Sequence, residues 1–264
     1  MRKVFTLLLS VLIVCSGYSQ GVSKTLTLAT AGSLATTLTA EEKITVTDLT
    51  IKGNIDARDF KTMRDAMTVL TNLNLKDVKI VAFQDNALGT QGPAGLYFRT
   101  YPADEIPHIS FFNVVRQIGK LTLKSVILPT QLTAIGTFAF GGCLNLSGEM
   151  PISKNITNIR QNAFSGSGAK FVVVADNPNY SSDKRGVLFN KDSTKLIQAP
   201  STLAGDYSIP YSVTVVDGGA FTNCDKLDGT LEIPASVTRI HNGAFTNCIN
   251  LDRIIAHRAT PPEI

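Results

Sequence analysis

Ile233 to Leu251 reads IPASVTRIHNGAFTNCINL, and Leu128 to Leu146 reads LPTQLTAIGTFAFGGCLNL. Counted from Pro129, Pro210 and Pro234, three stretches of the chain share this layout. An apolar residue precedes the proline (Leu128, Ile209, Ile233). Others follow at the third position (Leu132, Val213, Val237) and the sixth (Ile135, Val216, Ile240). Next come an Ala-Phe pair (Ala139-Phe140, Ala220-Phe221, Ala244-Phe245), a cysteine (Cys143, Cys224, Cys248) and a leucine (Leu146, Leu227, Leu251). A fourth copy beginning at Pro151 fits at Ile156, Ile159 and Ala163-Phe164 if two extra residues follow the proline. Ser167 and Lys170 then stand for the cysteine and the leucine.

Pro210 and Pro234 lie 24 residues apart, inside the window of about 20–29 residues that leucine-rich solenoids use. Apolar residues at every third position cannot line one face of a straight strand, whose side-chain period is two, and they drift off a helical stripe. They suit a backbone that keeps turning toward a common axis. One such coil cannot bury its own apolar side, so it is stable only against the next, with strands about 4.8 Å apart. Stacking predicts one ladder of Phe140, Phe164, Phe221 and Phe245 and another of the cysteines.

These runs resemble the BspA-like leucine-rich repeats of bacterial surface proteins. The stretch Asp176–Pro200, DNPNYSSDKRGVLFNKDSTKLIQAP, resembles the longer hairpin-bearing repeat of that family. The resemblance covers Ile106 to the end. It implies a repeat solenoid of leucine-rich-repeat type, built of short β-strands and turns with 3-10 or short helical convex segments. It further implies a secreted or outer-surface location, no catalysis, and adhesin-type binding of an extracellular or host-surface protein by a monomer. A surface glycan as ligand is one alternative, and a spacer solenoid presenting another domain is the other.

The front of the chain agrees with export. Met1 to Gln20 opens with Arg2 and Lys3, continues apolar from Val4 to Val14, and has small residues at Gly17 and Ser19, the layout of a signal peptide over residues 1–19. The apolar stretch is too short to span a bilayer. Cys15 after Leu12-Ile13-Val14 supports a second reading, a lipoprotein signal acylated at Cys15. The formal charge of +4 falls to about +2 without Arg2 and Lys3, which leaves no basic patch for nucleic acid.

Residues 20–105 read as a leucine-rich-repeat-like cap with a long loop, and 106–264 as the repeats, with the hairpin-bearing one at 171–200. Ile44 to Lys52 alternates as a strand. Asp56 or Asp59 is placed to cap one α-helix over Ala57–Leu70, where Phe60, Met63, Met67 and Leu70 have helical spacing. Leu73–Val81 is again a strand. In the Gly- and Pro-rich loop from Phe83 to Pro107, Tyr97, Phe98 and Tyr101 either anchor a partner or pack back on the repeats. Ile106-Pro107 with Phe111-Phe112 reads as a degenerate repeat start.

Chemistry-bearing constellations are sparse. Without Cys15 the exported chain holds three thiols, all at one repeat position, which suits small buried apolar residues. A Cys224–Cys248 bridge is open, although laddered side chains point the same way. No Cys/His cluster suggests zinc. His108, His241 and His257 are scattered, and no nucleophile elbow, phosphate loop or dinucleotide fingerprint occurs. No cofactor or metal is expected. Asp176, Asn177 and Asp183 crowd one loop, either as Asx turns or as oxygen ligands for calcium. Asp192-Ser193-Thr194 is a hairpin turn. Surface candidates for binding are Lys124, Tyr211, Arg239, His241, Arg253 and Arg258, and the sequence alone does not say which of them share a face.

Overall fold

The computed structural model describes residues 21–88, 100–258, 260 and 262–263, and the chain winds in it as a solenoid of about nine turns. The spacing of three has a direct backbone cause. In each regular coil the repeat proline opens a turn closed by the N–H three residues on, from Leu132 to Pro129, Val213 to Pro210 and Val237 to Pro234. A second such turn precedes the Ala-Phe pair (Ala139 to Gly136, Ala220 to Asp217). Two more follow it, Cys143 to Phe140 and Leu146 to Cys143. Successive three-residue turns bring every third side chain back to the axis.

Between the turns run two short strands per coil. The first lies before the proline. Val22–Leu28, Val46–Ile55, Asn72–Ile80 and Ser125–Ile127 form one parallel sheet. Glu149–Ile152 pairs with Lys170–Val173, and Tyr207–Ser208, Thr230–Ile233 and Arg253–Ala256 form a third group. The second strand holds the sixth position. Ala134–Ile135 lies between Glu105–Ile106 and Asn158–Ile159, and Val215–Val216 between Lys195–Gln198 and Arg239–Ile240. All these pairings are parallel because each coil runs the same way as the last. Threonines reinforce them: Thr133, Thr214 and Thr238 each donate a hydroxyl to a carbonyl of the preceding coil, at Asp104, Thr194 and Thr214.

The residue before each Ala-Phe pair is left-handed: Phe138 (φ 53°), Asn162 (φ 57°), Gly219 and Gly243 (both φ 74°). Glycine and asparagine take this conformation at little cost and phenylalanine does not. Ile109 (φ 52°) repeats it before Ser110-Phe111, which extends the phenylalanine ladder one coil toward the N-terminus. The Phe111 and Phe140 rings stack at 5.4 Å, Phe140 and Phe164 at 5.1 Å, and Phe221 and Phe245 at 5.2 Å. The single four-rung ladder expected from sequence is therefore two. Ala199 donates its N–H to the Ala220 carbonyl as the phenylalanines of other coils do to their neighbours; it holds the phenylalanine place in the hairpin coil and supplies no ring.

Three registers differ from the sequence reading. The fourth copy needs no inserted residues, because Ser153, not Pro151, accepts the N–H of Ile156 and opens the turn. Lys170 does not stand for the repeat leucine: it pairs with Glu149 at the start of a strand, since the coil is shortened there and Ala169 is buried instead. Ile106 opens no repeat, for it pairs with Ile135, the sixth position.

The N-terminal segment carries three short helical pieces, Leu34–Thr37, Ala40–Thr45 and Ala57–Lys61, the last running into a π turn over Thr62–Ala66. The expected helix thus stops four residues short of Leu70, although Phe60, Met63, Met67 and Leu70 are all fully buried. Asp56 caps it in a reciprocal box with Asp59, whose carboxylate also accepts the N–H groups of Gly32 and Leu34. Lys120 reaches the other end, its ammonium donating to the Met67 carbonyl at 2.7 Å. It stands at the cysteine place of its coil, since Leu123 donates to the Lys120 carbonyl as Leu146 does to Cys143.

Candidate binding surface

The six surface candidates do not converge. Lys124 and Arg253 flank or lie on the pre-proline strands of distant coils, Arg239 lies on the other strand side, and Tyr211 stands 80% exposed in the turn between the two. Arg239 is paired with Glu263 at 2.8 Å, and Arg258 donates to the Thr260 hydroxyl. Only His241 joins a concave site, described below. Tyr97 and Phe98 lie outside the described residues. Tyr101 packs inward: it is buried, and its hydroxyl accepts the Leu88 N–H at 3.2 Å.

A different pattern sits two residues before the turn-opening position. Ile127, Pro151 and Val172 hold this place in three successive coils, point away from the core and are exposed; Pro151 and Val172 are direct neighbours across the strands. In the two coils beyond the hairpin coil the same place is polar, with the Ser208 hydroxyl bonded to Glu232 at 3.1 Å, and the place is apolar again at Ile255.

The second feature is a cleft at the hairpin coil. Tyr180–Ser182, Leu188–Asn190 and Lys195–Gln198 form an antiparallel meander, with the Asp192–Thr194 turn between the last two. It interrupts the parallel stack, and the Tyr180 hydroxyl rather than a backbone group meets the Ile159 N–H, at 2.6 Å. On the opposite side the coils stay in step, Ser201 donating to the Ser167 carbonyl. The neighbours therefore splay on one side only. The hairpin coil also has a shorter corner. Regular coils place three residues between the sixth position and the Ala-Phe pair, such as Arg160-Gln161-Asn162, whereas Ile197 alone stands between Leu196 and Gln198-Ala199. A cleft of about 600 Å³ results, walled by the Arg160–Asn162 corner and by Asp217, Gly218, His241 and Asn242.

Its charges are neutralised in place. Arg160 grips the buried Glu105 carboxylate through Nε (2.9 Å) and Nη2 (3.0 Å), and Lys195 pairs with Asp217 at 2.8 Å. Gln198, buried at the floor, donates to the Ala199 and Ala220 carbonyls. Sequence reasoning missed this site, and the signal was the two missing corner residues in Leu196-Ile197-Gln198-Ala199.

Elsewhere the chemistry is structural. Asn177 takes the third, normally apolar position of its coil and satisfies itself there: Nδ2 donates to the Ser153 and Ile156 carbonyls, and Oδ1 accepts the N–H groups of Asn179 and Tyr180. Asp183 accepts the Arg185 and Val187 N–H groups and the Tyr207 hydroxyl. These are the Asx turns, and both side chains spend their oxygens on them. Among the described residues no His, Cys, Asp and Glu side chains group to hold a metal, and no helix is long and apolar enough to cross a membrane. Cys143, Cys224 and Cys248 are free thiols. His108, half-buried, accepts the Thr137 N–H on Nδ1, and burial lowers its pKa.

No curated protein matches the chain. Among solved structures, the pneumococcal vaccine antigen PcpA superposes with a TM-score of 0.50 at 18% identity, covering 80% of this chain and 50% of that one. A leucine-rich repeat protein from Eubacterium ventriosum gives a TM-score of 0.47 at 18% identity, covering 82% of this chain and 55% of that one. A leucine-rich cell surface protein from Faecalibacterium prausnitzii gives 0.32, also at 18%, covering 81% of this chain and 73% of that one. The chain thus spans about half the length of the first two, and at such identity the likeness concerns the fold alone. The sequence model of the BspA-type leucine-rich repeat region matches in six copies across residues 116–251, the same coils that the turns and ladders define. The chain belongs to the BspA-type leucine-rich repeat family.

Proposed function

We propose that this chain is an exported binding module of adhesin type, displayed at or released from a bacterial cell surface, that recognises an extracellular or host-surface protein. The observation that carries the reading is the apolar strip of Ile127, Pro151 and Val172 on the pre-proline strands. Large apolar side chains aligned on a flat strand face contribute nothing to the solenoid's own core, and such patches suit protein contact. A surface location is in keeping with the family and with the vaccine antigen of similar fold. Residues 1–19 serve in this reading as the export signal.

The test is binding of the chain from Gln20 onward to immobilised matrix proteins and mucins at two salt concentrations. Saturable binding is expected, weakened at least tenfold by the paired substitution Ile127→Glu and Val172→Glu, because two buried carboxylates cost more than that factor. Silence of the folded protein across the panel would leave the spacer role as the better account.

A further inference from the structure

We propose that the cleft at the hairpin coil is a binding subsite for a neutral sugar residue of a surface glycan. At about 600 Å³ it lies within the range of small-ligand sites, and it is the only coil junction built with a shortened corner among the described repeats. The charge pattern selects against ions. Arg160 is committed to Glu105 and Lys195 to Asp217, so neither an anionic nor a cationic group gains an unpaired partner. What the walls offer freely is amide and imidazole: Gln161 and Asn162 on one side, His241 and Asn242 on the other.

Each amide presents donors and an acceptor close together, and a neutral imidazole presents one of each. Sugar hydroxyls both donate and accept, so a row of them can satisfy such walls without any net charge. An extended peptide fits less well. The edge strands at the cleft, Asn158–Ile159 and Tyr180–Ser182, are only two and three residues long, and the Ile159 N–H is already taken by the Tyr180 hydroxyl, so they offer a peptide little backbone to pair with. The apolar floor residues Tyr180 and Leu188 are buried and form no pockets for side chains. The subsite is independent of the protein recognition proposed above, whose strip lies on the pre-proline strands.

The experiment titrates the folded chain from Gln20 with maltotriose, mannotriose and lactose, and with sialyllactose as the anionic comparison. Heteronuclear NMR shifts and calorimetry report binding. Saturable binding of at least one neutral sugar is expected, with shifts at Gln161, Asn162 and Asn242. The double variant Gln161→Ala and Asn242→Ala should weaken it by about tenfold or more while leaving the melting temperature in place. The proposal is overturned if no neutral sugar binds, if only the anionic sugar or a neutral peptide does, or if the double variant binds as wild type does. The Ile127→Glu and Val172→Glu variant should keep sugar binding, so a failure of this subsite and a failure of protein recognition are read separately.

Discussion

The solenoid on either side of the hairpin coil is made from the same repeat, yet the two sides are finished differently. Upstream, Phe111, Phe140 and Phe164 form a continuous buried stack, the nearby arginine closes over a buried glutamate, and a lysine ties the first coils to a helix end. Downstream, Phe221 is buried but Phe245, Cys248 and Leu251 are only partly so, and Arg239 pairs with an exposed Glu263. The apolar core divides at the same point into two clusters. A repeat thus fixes which positions turn inward, while how much each stabilises depends on what stacks above and below it.

The largest expected contrast tests this directly. Phe140→Ala should cost about 3–5 kcal/mol, as for a large core side chain with little room to collapse, and Phe245→Ala about 1–2 because its ring is partly exposed already. Equal losses in urea denaturation would break the comparison. The ion pairs come next. Arg160→Met strands the Glu105 carboxylate, 3% exposed, and should cost about 2–3 kcal/mol, less than for a fully buried pair because Arg160 itself is 37% exposed. Arg239→Met should change stability by less than about 1 kcal/mol.

Lys120 sharpens the contrast through pH. Burial lowers its pKa from 10.5 to about 8, partly opposed by Cys143 and Asp65. The unfolded chain therefore binds the proton more tightly, the cost of burial is full below pH 8, and it fades as pH rises toward 10.5. The stability of wild type should gain about 1–2 kcal/mol on Lys120→Met between pH 7.5 and 9.5; a difference constant with pH would show that the lysine is not buried charged. The smallest effect is kinetic. The Cys143 thiol, pushed by burial up to about 12, should resist a thiol reagent under native conditions. Cys248, half-buried and lowered by the hydrogen bond from Cys224, should label first.

Much of this was legible in the chain itself. The proline and seven positions counted from it define the coil, and because they mark turns and strand contacts they also define the inward face. The capping pair Asp56 and Asp59 was readable for the same reason: local hydrogen bonding dictates it. The misreadings arose where the chain is shortened or substituted. Pro151 draws the fourth repeat out of step because the other coils open their turn with a proline, and the turn geometry accepts Ser153 equally well. The strand Val22–Leu28 is faint in sequence because its alternation, Val-Ser-Lys-Thr-Leu-Thr-Leu, buries only its last residue fully. The signal of the cleft, two missing corner residues in Leu196–Ala199, counts as a deletion only once Ala199 is known to take a phenylalanine's place, which the pairing with Ala220 reveals. The exposed strip was illegible too, since Ile127 and Val172 look like core residues until their register is known.

The threonine bonds and the 24-residue offset have a consequence for how such a chain changes over generations. Thr214 to Thr238, Asn223 to Asn247 and Ser208 to Glu232 are all bonds between residues 24 apart. A duplication or loss of one whole unit beyond the hairpin coil therefore returns every donor to an acceptor of the same kind, and the neighbours meet an unchanged surface. A change of any other length has to be absorbed in a loop, as it is where Thr214 reaches Thr194 across 20 residues and Thr133 reaches Asp104 across 29. The length of the solenoid can thus be changed in whole steps by recombination between the repeats, with the fold indifferent to the number of steps taken.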